Sequence, residues 1–303
     1  MDRRDFFKNT LIAGTSAFAF LFLGKSGKAL ANVVAMNTLY DLIALSGNDP
    51  AVMFEKGIAQ MGGMRKFVKK NSVVVITPDI GWDAAPERAA NTNPALVKKI
   101  VELCRKAGAK EVLVLDNTYD NWNETYKHSG IERAVKDAGG KLVLADKEEY
   151  YTEVAIPNGK KLKNAKVHDA VLKADVFINV PVLKMNYQTR VSGAMQNLMG
   201  VVWDRHTWYR NDLHQCIADF AAFKRPNLNV VDAFSVIKKN GPKGLFPEDV
   251  EQMHKQFLSA DIVAVDAAAV QAFGSKPDSI TYLRLAKEAG VGKFEVKKLD
   301  LTI

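Results

Sequence analysis

Four short, nearly unbroken apolar runs punctuate the chain: Val73-Val74-Val75-Ile76, Val112-Leu113-Val114-Leu115, Val176 to Val180, and Leu228 to Val231. A strand with one wet face alternates apolar and polar residues. A run without alternation belongs to a strand buried on both faces, and such a strand needs cover above and below. The segments between the runs supply that cover. Asn93-Pro94 gives an N-cap and a first-turn proline to a helix ending at Gly108, and Ser129 to Glu132 reads as a capping box for a helix that stops at Gly139-Gly140. Strand–helix alternation with short connections predicts an α/β fold. It is a mostly parallel sheet with helices on both faces, in Rossmann-like layers, forming one body or two lobes.

Other segments fill in the organisation. Asp49-Pro50 opens a helix with Met53, Phe54, Ile58 and Met61 on its apolar face, stopped by Gly62-Gly63. Residues 32–70 are therefore read as a helical lead-in, and 71–303 as the α/β body. Glu148 to Lys166 breaks the rhythm and suits a hairpin or an excursion. Toward the C-terminus the sequence predicts an apolar helix over Ile262 to Phe273, an amphipathic helix over Ile280 to Ala289, and an edge strand over Phe294 to Leu301.

In open parallel sheets ligands sit beyond the carboxyl ends of the strands. That rule directs attention to Thr77-Pro78-Asp79, Asp116-Asn117, Pro181 to Thr189, and Asp232. The common chemical signatures are missing: no G-x-x-x-x-G-K-[ST] loop, no G-x-G-x-x-G after the first strand, no G-x-S-x-G elbow, no H-E-x-x-H. Readings as a P-loop kinase, ordinary dehydrogenase, serine hydrolase or zincin lose their support.

The densest polar constellation runs from Asn179 to Asp219. Lys184 follows the third apolar run, where a lysine supplies a fixed positive charge or a depressed-pKa base, or simply snorkels to the rim. The stretch Trp203-Asp204-Arg205-His206-Thr207-Trp208-Tyr209-Arg210 offers stacking faces and cations, or else covers the sheet edge. His206 and His214 are the histidines near other candidate groups, but their spacing does not define a metal site. Asp266 stands inside the apolar Ile262–Phe273 helix, where a carboxylate must either bond a neighbouring element or serve a site. The site expected from these residues has Lys184 and His214 in catalytic roles, with Asn179, Asn186, Asn197, His206, Asp219 and Asp266 binding ligand. Lys184 holds an anionic group, Asn186 and Asn197 orient it, and His214 carries the proton. No metal is assigned and no cofactor is identified.

The first residues address a different question. Arg3-Arg4-Asp5-Phe6-Phe7-Lys8, a diluted apolar stretch from Leu11 to Leu23, and Ala29-Leu30-Ala31 read as a twin-arginine (Tat) export signal cleaved after Ala31. The apolar stretch is too short for a permanent membrane span. This reading expects a periplasmic protein that meets the Tat translocase during export and does not meet nucleic acid. The formal charge is +8; the first 31 residues carry five basic and two acidic groups, which leaves +5 on the mature chain. Such an excess suits a small anionic ligand, or a lysine-rich solvated surface. Cys104 and Cys216 are too few for a disulfide scaffold or a cluster site. Cys104 falls on a helical apolar stripe, as a core residue does.

Taken together, several segments resemble the family called domain of unknown function 362: Val73 to Pro78, Asn91 to Pro94, Gly108 to Val112, Ala174 to Pro181, Gln196 to Gly200, His214 to Asp219, Asn240-Gly241-Pro242, and Ala264 to Ala267. The resemblance covers nearly the whole mature chain, and it implies no established reaction. Family members that carry ferredoxin-like cysteines imply a cluster; this chain lacks them. Where the family usually places one or two histidines after the lysine, this chain has Met185 and Asn186, which cannot titrate. Two functions follow as expectations. One is an exported enzyme acting on a small anionic substrate. The other is a non-catalytic binding or accessory protein presenting the Trp203–Arg210 loop to another exported protein.

Overall fold

The computed structural model describes residues 40–303; the expected export signal and its cleavage point lie outside the described residues. The four apolar runs are adjacent strands of one sheet. In chain order the strands are β1 (Leu42–Ser46), β2 (Val73–Pro78), β3 (Glu111–Val114), β4 (Lys141–Leu142), β5 (Tyr151–Ala155), β6 (Asn164–His168), β7 (Val176–Val180), β8 (Val182–Asn186), β9 (Arg190–Ser192), β10 (Leu228–Ile237), β11 (Val250–Ser259) and β12 (Lys298–Thr302). The main sheet runs β12-β1-β11-β10-β7-β2-β3-β4, with β8 joined to β10 and β9 to β8. Strands β10, β7, β2, β3 and β4 are mutually parallel, and antiparallel pairings enter through β11 and β9. It is a mostly parallel mixed sheet in an α/β fold.

Helices cover both faces: α1 (Pro50–Gln60), α2 (Met64–Phe67), α3 (Pro94–Ala107), α4 (Trp122–His128), α5 (Ile131–Asp137), α6 (Asp169–Lys173), α7 (Ala194–Asn197), α8 (Leu213–Phe223), α9 (Ile262–Phe273) and α10 (Thr281–Glu288). Alternation along β2 divides the core. Val74 and Ile76 join the cluster beneath α1 and α3, whereas Val75 joins the cluster beneath α8 and α9. The caps read from sequence are formed at two helices: Asp49 accepts from Ala51 and Val52 at α1, and Asn93 accepts from Ala95 at α3. No helix among the described residues is long and apolar enough to cross a membrane.

Some expectations are corrected. The 32–70 segment is not wholly helical, because Leu42–Ser46 forms β1 inside the main sheet, paired on both edges. A five-residue strand buried on both faces shows no period to detect. The last strand begins at Lys298 rather than Phe294. Ser129 caps α5 through its own Oγ, which accepts from Ile131, and Gly130 takes a left-handed conformation there, so no reciprocal box forms. The 148–166 excursion is a β5–β6 hairpin outside the main sheet.

Candidate functional site

The carboxyl ends of the central strands open into a pocket of about 380 Å³. Its charged lining residues are Asp79, Asp116, Lys184 and Arg205. Asp79 leaves the end of β2, Asp116 follows β3, and Lys184 lies within β8. Lys184 is almost fully buried; its Nζ donates to the Ala90 carbonyl at 2.6 Å and pairs with Asp79 Oδ2 at 2.7 Å. An ammonium has three donors, so one remains for the pocket.

Asp116 is held from behind. Its Oδ2 accepts from the Ile80 backbone at 2.7 Å, and Tyr126 Oη bridges its backbone N–H and carbonyl. Gly200 passes so close that a Cβ there would stand 1.9 Å from Asp116 Oδ1. Burial, then the charge of Asp79, push the Asp116 carboxyl well above its ordinary range, against the opposing pull of Arg205 and Lys184. The neutral acid is therefore favoured well beyond the usual carboxylate range.

Asparagines complete the floor. Asn197 donates to the Thr77 carbonyl at 3.0 Å and to Asn179 Oδ1 at 2.8 Å, which uses both its N–H groups and leaves its Oδ1 as an acceptor. Asn179 is fully buried and donates to the Ala194 carbonyl and to Asn229. Asn186 Oδ1 accepts from the Gln188 and Thr189 backbone, an Asx turn that shapes the β8–β9 connection. Trp82 stacks on Tyr119 at 5.0 Å with planes 9° apart, and Tyr119 Oη meets Tyr209 Oη at 3.1 Å at the mouth.

Of the residues expected from sequence, Lys184, Asn186 and Asn197 line this pocket. Asn179 stands behind Asn197. His206 lies outside on the exposed surface, its ring 6.4 Å from that of Tyr119. His214 does not line the pocket: it stacks on Tyr282 at 6.4 Å, and burial lowers its imidazole pKa, against Asp212 and a hydrogen bond to the Gln188 backbone. Asp219 clamps the 160–162 turn, accepting from Lys161 and Leu162 and from Gln215 Nε2. Asp266 accepts from Ala194 at 2.5 Å and Met195 at 3.0 Å, tying α9 to the start of α7. These two carboxylates serve backbone N–H groups instead of the pocket.

Among the other pocket residues, Asp79, Asp116, Arg205 and Tyr119 have no individual role assigned from the sequence. The strand-end rule pointed to the first two, and Arg205 stood in the aromatic–basic stretch. Tyr119 and Trp82 carried no signal of their own. In that stretch Arg205 and Tyr209 line the pocket, whereas the buried Trp208 packs in the core against Phe220.

A buried acid, a paired lysine and a guanidinium meet at the strand ends of a parallel-centred sheet, in a protein of the α/β class. More narrowly, the chain belongs to the family described as Domain of unknown function (DUF362), whose model matches residues 74–271. The thylakoid-associated protein sll1697 of Synechocystis sp. is 22% identical over 225 residues, covering 69% of this chain and 68% of that one. Among solved structures, the lactate racemase apoprotein from Thermoanaerobacterium thermosaccharolyticum is similar with a TM-score of 0.44 and 16% identity, over 64% of this chain and 50% of that chain. A protein from Thermotoga maritima gives 0.43 and 13%, over 80% and 60%. This chain thus spans half to three-fifths of those two structures.

Proposed function

We propose that this is an exported enzyme that performs acid–base chemistry on a small anionic substrate in the strand-end pocket. The observation that carries the reading is the Lys184–Asp79 pair facing the same space as Asp116. Titratable groups whose environments separate their protonation states are the usual equipment of proton transfer. In this reading Asp116, held as the neutral acid, gives a proton to the substrate. The free donor of Lys184 steadies the charge that develops, and Asn197 Oδ1 and Asn186 orient the ligand. Asp116 takes the proton-carrying role that sequence reasoning gave to His214, because His214 does not line the pocket.

The test is thermal stabilisation of the mature protein across panels of organic acids, phosphates and neutral analogues. Anions are expected to raise the melting temperature, and Asp116→Asn is expected to retain binding while abolishing turnover. If no anion stabilises the protein, and Lys184→Ala changes nothing, the reading fails. Export through the Tat translocase to the periplasm belongs to the same proposal. Changing Arg3-Arg4 to a pair of lysines is expected to leave the full chain in the cytoplasm; unchanged fractionation would refute it.

A further inference from the structure

We infer that the pocket is built for a small monocarboxylate, held by the guanidinium of Arg205; the inference rests on reading the pocket as the substrate site. Arg205 is 2% exposed. One Nη donates to the Asn117 carbonyl and the other to the Thr118 carbonyl, the latter at 2.9 Å. Its Nε is buried and has no partner. The guanidinium lies 4.0 Å over the Tyr119 ring, and Trp82 stacks on the same ring. Two such neighbours cannot share one face, so Tyr119 is held between them and the plane of the guanidinium is fixed.

No acidic side chain among the described residues forms an ion pair with Arg205. A buried charge without a counterion is costly. The nearby carboxyl, Asp116, is pushed toward its neutral form and cancels little of it. Lys184 is already matched by Asp79. With Lys184 matched by Asp79 and Asp116 pushed toward its neutral form, the Arg205 guanidinium is the charge left without a counterion. A guanidinium has five N–H donors in a planar fork; two are taken here, and the planar fork matches the two oxygens of a carboxylate. A phosphate dianion would exceed the single spare charge.

The experiment titrates the ¹⁵N-labelled mature protein with acetate, butyrate and inorganic phosphate, observing arginine Nε–H signals by NMR. The Arg205 signal is identified by its nuclear Overhauser contact with the Tyr119 ring, so no variant is needed to decide the outcome. Acetate and butyrate are expected to move that signal saturably, and phosphate is expected to bind at least tenfold more weakly. Arg205→Lys, which keeps the charge but not the fork, is expected to weaken carboxylate binding at least tenfold if it folds. Phosphate binding more tightly than both carboxylates, or carboxylates binding without moving the Arg205 signal, overturns this inference and leaves the acid–base pocket standing. If none of the three probes binds, the inference falls, and a silent wider anion panel takes the proposed function with it.

Discussion

Lys184 Nζ lies 2.7 Å from Asp79 Oδ2, joining a residue of β8 to the end of β2 with both side chains largely out of water. Such a pair matters most when one partner is removed, because the other is then stranded. Lys184→Met is expected to cost about 3–5 kcal/mol in urea unfolding, as for a broken buried pair. Adding Asp79→Asn should restore a good part of that loss, since neither position of the pair then carries a stranded charge. Strictly additive losses in the double-mutant cycle would show that the two residues are not coupled.

Gly200 and Asp116 give a second test. A Cβ at Gly200 would collide with Asp116 Oδ1, and that carboxylate has little room to move while Ile80 holds its other oxygen. Gly200→Ala should therefore destabilise the protein by about 1–3 kcal/mol, the range for overpacking, and weaken anion binding. In an Asp116→Ala background the same change should cost much less. A penalty that persists there would place the strain elsewhere.

The sheet was legible because strands buried on both faces leave continuous apolar runs, and Val74 to Ile76 and Val176 to Ile178 carry that mark. β1 was not, because Leu42–Ser46 is too short for a period, even with the turn residues Gly47 to Pro50 right after it. The pocket was legible by position, through the strand ends at Asp79, Asp116 and Lys184. It was not legible by residue type. Asp219 and Asp266 look in sequence like any functional carboxylate, and only their backbone partners reveal clamps. Tyr119 reaches the pocket through a loop whose course no local pattern encodes.

Besides Asp116, two buried carboxyls add to the pH dependence of stability. Burial pushes Asp232 up to about 6 and Asp266 up to about 7, against the backbone N–H groups that each accepts from. Both folded-state values exceed the ordinary 3.8, so the folded protein holds protons that the unfolded chain releases. Their stabilisation is complete below about pH 4 and is lost as pH rises through about 6 and then about 7, with a limiting slope near 1.4 kcal/mol per pH unit per proton. Asp266→Asn removes one titrating group. The stability gap between wild type and variant, measured by urea unfolding, should shift in favour of the variant between about pH 4 and 7. A gap independent of pH would mean that Asp266 does not titrate in this window.

The two cysteines provide the last test, and it bears on the layering of the fold. Cys104 packs in the cluster beneath α1 and α3, whereas Cys216 packs in the cluster on the opposite face of the sheet. Both are free and buried, and burial pushes each thiol up to about 12. Thiolate, not thiol, is the attacking species, so neither should react with an aromatic disulfide reagent at pH 8 while the protein is folded. In denaturant without reductant, two equivalents should react at once. Under native conditions labelling should be slow and, in the limit of fast reagent, independent of reagent concentration, because unfolding sets the rate. Rapid native labelling of either cysteine would contradict its burial. Zero equivalents in denaturant would mean that the two are joined across the sheet, and the separation of the two core layers would have to be abandoned.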